Sequence, residues 1–316
     1  MKVSCKNSVK AAIFYLSRAK SRDINDLKRS LYLLDKNFND KFHYPVIIFH
    51  EDFTQSLMNE LHSSTRSQLH FEQVKFEVPD FLDKKDIPEY VFAGGFEFPI
   101  GYRNMCRFMS GTVYKNPSLR DYKYYWRLDT DSFILDDIDY DVFDFMEKNQ
   151  LVYGYIHIME EEPEVIVGLW EATVEYMNKN YIQPQFLDKF IRNGEWDKSY
   201  YYTNFEISNL DFWRSQEYMD YFDFLDHKGG IYKYRWGDAP IHLLGVSMLV
   251  PEEKVHKFSD IPYQHQQFIN NYSVKPSMKR ILKRRTVEML TPLWKLSNVM
   301  KLRSKTYRKI LNFIKK

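Results

Sequence analysis

The chain has 316 residues, 44% of them hydrophobic and 17% aromatic, with a formal net charge of +2, enough for a substantial core in one large or two modest domains. Two cysteines, Cys5 and Cys106, exclude a disulfide framework, and no Cys/His spacing suits a zinc site. No apolar run reaches the ~18 residues of a spanning helix, and the polar, basic start lacks a secretory apolar region, which predicts a cytoplasmic or peripheral membrane protein.

In chain order, residues 9–17 read as a buried strand that turns at Arg18. Asp23 is placed to cap the next helix, where Ile24, Leu27, Leu31, Leu34 and Phe38 recur at helical spacing. A strand at 44–50, a helix near 55–61 and an alternating strand near 69–78 follow. This β-α-β-α-β order implies a parallel sheet with right-handed crossovers. After Gly94-Gly95, residues 102–113 read as a helix that sets Arg103 and Arg107 one turn apart. A strand at 124–128 comes next. The second half gives helices at 138–148, 164–178, 218–225 and 237–249, with strands at 151–157 and 204–210. Gly229-Gly230 stops one helix, and Asp238 and Pro240 open the last. Neither a Gly-x-Gly-x-x-Gly nor a Walker loop is present, against dinucleotide or P-loop chemistry.

Charge divides the chain. Residues 275–316 carry 14 Lys/Arg against one acid, Glu288, while residues 1–274 carry 31 basic and 42 acidic residues. This predicts an acidic globular domain over 1–274 and a basic amphipathic helical tail over 275–316. In the tail, residues such as Met278, Ile281, Leu282 and Trp294 alternate with Lys and Arg, a pattern that suits the interface of an anionic membrane. A solvated extension or a nucleic-acid-binding arm is the other reading. The acidic body repels a phosphate backbone, so no nucleic-acid partner is expected.

The strand at 124–128 runs into Asp129-Thr130-Asp131. In an open α/β sheet that turn lies at the carboxyl edge, where ligands bind. Two carboxylates spaced i, i+2 there need a compensating cation, and a hard divalent ion that bridges to substrate phosphates is the usual one. An acidic turn without a ligand has the same spelling, because Asp favours turns.

Six segments taken together resemble glycosyltransferase family 15, the fungal α-1,2-mannosyltransferases. They are 102–108 (Tyr-Arg-Asn-Met-Cys-Arg-Phe), 124–131, 137–143, 204–207 (Asn-Phe-Glu-Ile), 235–240 (Arg-Trp-Gly-Asp-Ala-Pro) and 263–265. They occur in the family's order over roughly residues 9–270. The resemblance implies an α/β GT-A fold: a mixed, mainly parallel sheet flanked by helices, with the basic tail appended. It also implies transfer of mannose from GDP-mannose, with retention, to a hydroxyl of a mannose-terminated acceptor, using Mn²⁺. Asp129 and Asp131 stand where the family commonly has Glu-Pro-Asp, and with His265 they are the implied metal ligands. Glu206 matches the carboxylate proposed as nucleophile and Tyr102 a tyrosine close to it. Asp238 is placed either to cap its helix or to hold an acceptor hydroxyl. Arg18 matches a nucleotide-side arginine, and Arg107 is its expected companion at the phosphates. Another donor or linkage on the same fold, or a non-catalytic glycan-binding protein, are the alternatives. Family members are usually anchored by an N-terminal helix, for which the basic tail is the candidate substitute.

Overall fold

The computed structural model describes residues 9–272, all within a unit that ends at Asn271 save its last residue; the expected tail over 275–316 lies outside them. Its centre is a seven-stranded sheet. Ala11–Leu16, Val46–His50 and Leu69–Gln73 run parallel on one side of Tyr124–Leu128, which also pairs in parallel with Ala11–Leu16. On the other side, Phe205–Asn209 inserts antiparallel between Tyr124–Leu128 and Tyr153–Tyr155, and Val255–Lys257 closes the edge. Ala11–Leu16 and Val46–His50 are buried almost throughout and Tyr124–Leu128 entirely, as parallel strands covered on both faces must be.

The period of two sorts their side chains into two cores. Phe14, Phe49, Tyr125 and Tyr153 face one, packed under Ile100–Ser110, Leu169–Lys179, Gln216–Lys228 and Asp238–Leu249. Ile13, Ile48, Trp126 and Ile207 face the other, under Ser21–Leu34 and Val142–Lys148. A smaller sheet, in which Tyr263–His265 lies between Ser132–Ile134 and Phe268–Asn270, sits beyond the carboxyl edge. The α/β, mainly parallel architecture expected from the sequence is therefore present.

Several boundaries differ for local reasons. The helix expected to run on to Phe38 changes at Asp35–Asn39 into a π turn. That turn buries Asp35, whose carboxylate accepts from Thr65 Oγ1 and the Arg66 amide, and Asn37, which donates to the Ile134 carbonyl. Asp23 does not cap Ser21–Leu34. It lies in the first turn and pairs with Arg18 at 2.6 Å. The strand expected to reach residue 78 stops at Gln73. Gly154 sits on a crowded face, where a Cβ would overlap the Phe258 ring and lie 3.2 Å from the Ile207 carbonyl. Gly154→Ala is therefore expected to destabilise the domain by about 1–3 kcal/mol, read as a lowered midpoint in urea unfolding.

Candidate functional site

The Asp pair lies where the strand order predicts. Asp129 follows Leu128 directly, and its turn is closed by the Ser132 amide donating to the Asp129 carbonyl at 3.0 Å. His265, far along the chain, arrives through strand pairing. The register sets His265 opposite Ser132, which brings its Nε2 to 2.9 Å from Asp131 Oδ1. His265 Nδ1 accepts from Asn204 Nδ2 at 3.1 Å and lies 2.6 Å from the Tyr202 hydroxyl. Asn204 is itself fixed, because its Oδ1 accepts from the Tyr263 hydroxyl at 2.7 Å. Together these contacts fix the orientation of the imidazole ring, and with Nδ1 accepting, Nε2 carries the hydrogen that faces Asp131.

Arg127, buried in the central strand, ties the next layer together. Its Nη1 donates to Asp238 Oδ2 at 2.5 Å, and its Nη2 lies 3.6 Å from Asp129 Oδ1. Asp238 also accepts from Thr203 Oγ1 at 2.9 Å. Asp238 therefore caps no helix: Gly237 occupies the cap position without a side-chain bond, and the carboxylate serves Arg127 instead. Tyr202, Thr203 and Asn204 are consecutive: Thr203 meets Asp238, and its two neighbours meet His265 Nδ1.

Electrostatics separates the carboxylates. Burial pushes Asp129 up, and the Arg127 and His265 charges only partly offset it. Burial also pushes Asp131 up, but the hydrogen bond and charge of His265 outweigh it and hold the carboxyl below its usual range. Asp238 is treated alike: burial raises it, and Arg127 and His242 bring it below its usual range.

Glu206 is the sharpest departure from expectation. It is 0% exposed, directly opposite Arg127 across the sheet. Oε1 accepts from the Tyr125 hydroxyl, and Oε2 accepts from the Tyr153 hydroxyl at 2.8 Å and faces His242 Nδ1 at 2.7 Å. His242 Nε2 lies 3.1 Å from the Met109 carbonyl. Both carboxylate oxygens are thus engaged beneath the site. Burial raises the Glu206 carboxyl, but His242, Arg127 and the Tyr125 bond bring it below the usual range.

Tyr102 is 36% exposed, 4.9 Å from the Phe98 ring and 3.3 Å from Arg235 Nη2. Arg18 lies just past the end of Ala11–Leu16, the neighbour of the Asp-bearing strand, where it pairs with Asp23 and is mostly exposed. Arg107 is not brought to the Asp pair. The buried carboxylate of Asp226 holds it through two Nε contacts of 2.9 Å and an Nη2 contact of 2.8 Å. Arg107 borders a separate groove of about 490 Å³ between residues 73–80 and the Ile100–Ser110 helix.

Sequence reasoning assigned no role to Arg127, His242, Tyr202, Asn204, Glu161 or Arg235. Arg127 did leave a signal, since a cation inside a strand of otherwise aromatic and aliphatic residues requires a buried acid. Asn204 and Arg235 lie in the motifs 204–207 and 235–240; the contacts of all five follow from strand register and from how helices and loops pack on the sheet.

Among the described residues no three His, Cys, Asp or Glu side chains form a ready metal cage. Asp131 and His265 are in contact and Asp129 lies in the same turn; carboxylate and imidazole are donor types that suit a hard divalent ion when phosphate and water supply the other ligands.

The folded Glu206 and Asp238 carboxyls lie below their unfolded values, so both add stability above the unfolded range, and that stability is lost as pH falls through the folded values. Asp129, held high, acts in the opposite sense. Glu206→Gln is expected to flatten the loss of unfolding free energy between about pH 5 and 3 relative to the parent, measured by urea titration at each pH.

Comparison with known proteins agrees with this geometry. Residues 2–285 match the family described as Glycolipid 2-alpha-mannosyltransferase. The Glycolipid 2-alpha-mannosyltransferase of Saccharomyces cerevisiae is 33% identical over 276 residues, 81% of this chain and 61% of its own length. The O-glycoside alpha-1,2-mannosyltransferase omh1 of Schizosaccharomyces pombe is 32% identical over 269 residues, 79% of this chain and 68% of its own. Core-mannan synthase A of Aspergillus fumigatus, solved in an Mn/GDP form, superposes with a TM-score of 0.77 at 29% identity, covering 85% of this chain and 80% of that one. The mannosyltransferase Ktr4p of S. cerevisiae, solved in complex with GDP, gives 0.75 at 28% identity, over 84% and 73%. The chain thus spans about three-fifths of the length of the first-named relative. It belongs to the Glycolipid 2-alpha-mannosyltransferase family, glycosyltransferase family 15.

Proposed function

We propose that this chain is a retaining mannosyltransferase that moves mannose from GDP-mannose to a hydroxyl of an α-mannoside, forming an α-1,2 linkage, with Mn²⁺. The observation that supports this most directly is the approach of His265 to Asp131 at the carboxyl edge, in a chain whose solved relatives hold Mn and GDP. Asp129, Asp131 and His265 would hold the metal, and Arg18 lies on the nucleotide side. Bound there, Mn²⁺ supplies a Lewis acid that neutralises the diphosphate.

The protein's own residues then favour a front-face route over a double displacement. Glu206, buried and engaged at both oxygens, does not present a lone pair to an anomeric carbon. The C1–O bond to the diphosphate breaks while the acceptor oxygen bonds C1 on the same face. The departing diphosphate oxygen takes the acceptor proton. Tyr102, which is exposed, is a hydrogen-bond donor for an oxygen near the reacting centre, and Asp238 with Arg127 fixes the floor. Calorimetric titration with GDP tests the site. Tight binding is expected only with Mn²⁺, lost in His265→Ala and weakened about 10–100-fold in Tyr202→Phe, which removes the hydroxyl beside His265. Equal GDP binding with and without Mn²⁺ would count against it.

Among the described residues no helix is long and apolar enough to cross a membrane. The +13 balance of residues 275–316 supports peripheral attachment to an anionic bilayer. The full chain is expected to float with phosphatidylserine-containing vesicles and to be released by high salt. Sedimentation without vesicles at low salt contradicts that attachment.

A further inference from the structure

The catalytic reading leaves Arg235 unexplained. Three side chains converge on its guanidinium. Its Nη1 donates to Glu161 Oε2 at 2.8 Å, and both side chains are close to nine-tenths buried. Its Cζ lies over the Phe98 ring at 4.5 Å and over the Tyr102 ring at 5.3 Å, and Nη2 reaches the Tyr102 hydroxyl at 3.3 Å. Its Nε has no hydrogen-bond partner among the described residues. The backbone is held in the left-handed region at φ 72°, which costs a non-glycine residue energy and persists only where the surroundings impose it. Arg235 is the cap of the short Gly230–Tyr234 helix, its amide bonded to the Gly230 carbonyl, and the next residue, Trp236, packs its indole on Gly230 and donates from Nε1 to the Val167 carbonyl at 2.8 Å.

A guanidinium has donors only. A donor to the Tyr102 oxygen occupies one phenol lone pair, so the phenolic O–H is directed away from Arg235, on a side chain that is 36% exposed. The planar group stacked on two rings also fixes the tilt of Tyr102 against Phe98. We propose that Arg235 is the positioning residue for Tyr102: anchored by Glu161, it aims the Tyr102 hydroxyl proton into the site, toward an oxygen of the donor diphosphate or the acceptor sugar. The proposal rests on the mannosyltransferase reading for its consequence, but its geometric core stands without turnover.

Two readouts separate the cases. In the parent, Arg235→Ala is expected to lower kcat about 10–100-fold, the loss of a charge-assisted bond, with KM for the nucleotide sugar changed less than about threefold. In a Tyr102→Phe background the same substitution is expected to cost less than about threefold further, because it acts through a hydroxyl already gone. Independent, multiplying losses overturn the proposal. The second readout needs no activity. With ¹³Cζ-labelled tyrosine, the Tyr102 resonance, assigned by its disappearance in Tyr102→Phe, is expected to move in Arg235→Ala. An unmoved Tyr102 resonance overturns the proposal even if the chain transfers no sugar. If Arg235→Ala leaves Glu161 unpaired and fails to fold, Arg235→Lys keeps a cation for Glu161 while losing the planar contact, and the same two readouts apply.

Discussion

Arg127 is the point on which the site depends. A guanidinium is buried in the central strand, paired with Asp238 of the Asp238–Leu249 helix, 3.6 Å from Asp129 in the turn that follows, and opposite Glu206 on the antiparallel strand. A buried cation left unpaired would cost several kcal/mol, so Asp238, its hydrogen-bonded partner, is held in place with it. Strand and helix are thereby fixed relative to one another before any ligand arrives.

From that floor the site rises in layers. Glu206 and its Tyr125, Tyr153 and His242 partners lie below, closed to solvent. The Tyr202-Thr203-Asn204 turn links the floor to the edge, with Thr203 on Asp238 and its two neighbours on His265. Asp131 and His265 face each other at the edge, and Tyr102 is held by Arg235. The engaged carboxylate of Glu206 lies deep, whereas Arg18 and Tyr102 are exposed.

The strands were legible because burial on both faces leaves continuous apolar runs, and the Asp pair was legible because it ends such a run. The parallel order followed from alternating strands and helices. What the sequence could not reveal was register. Whether His265 meets Asp131 depends on Tyr263–His265 pairing with Ser132–Ile134, and a shift of one residue would turn the imidazole to the other face. The same holds for Glu206, whose place in an alternating strand gave no sign that three partners enclose it. Asp238 and Arg107 sit in motifs that resemble those of the family. Their contacts are set by buried opposite charges, Arg127 and Asp226, that lie more than a hundred residues away.

The central claim is that this edge transfers mannose. The most direct measurement incubates the purified full chain with Mn²⁺, an α-mannoside acceptor and a panel of nucleotide sugars, and reads the product's anomeric configuration by NMR. The account predicts transfer from GDP-mannose alone, with the α configuration kept, absent in Asp131→Ala and His265→Ala. Transfer from a different nucleotide sugar, a β-linked product, or undiminished turnover in either variant would contradict it.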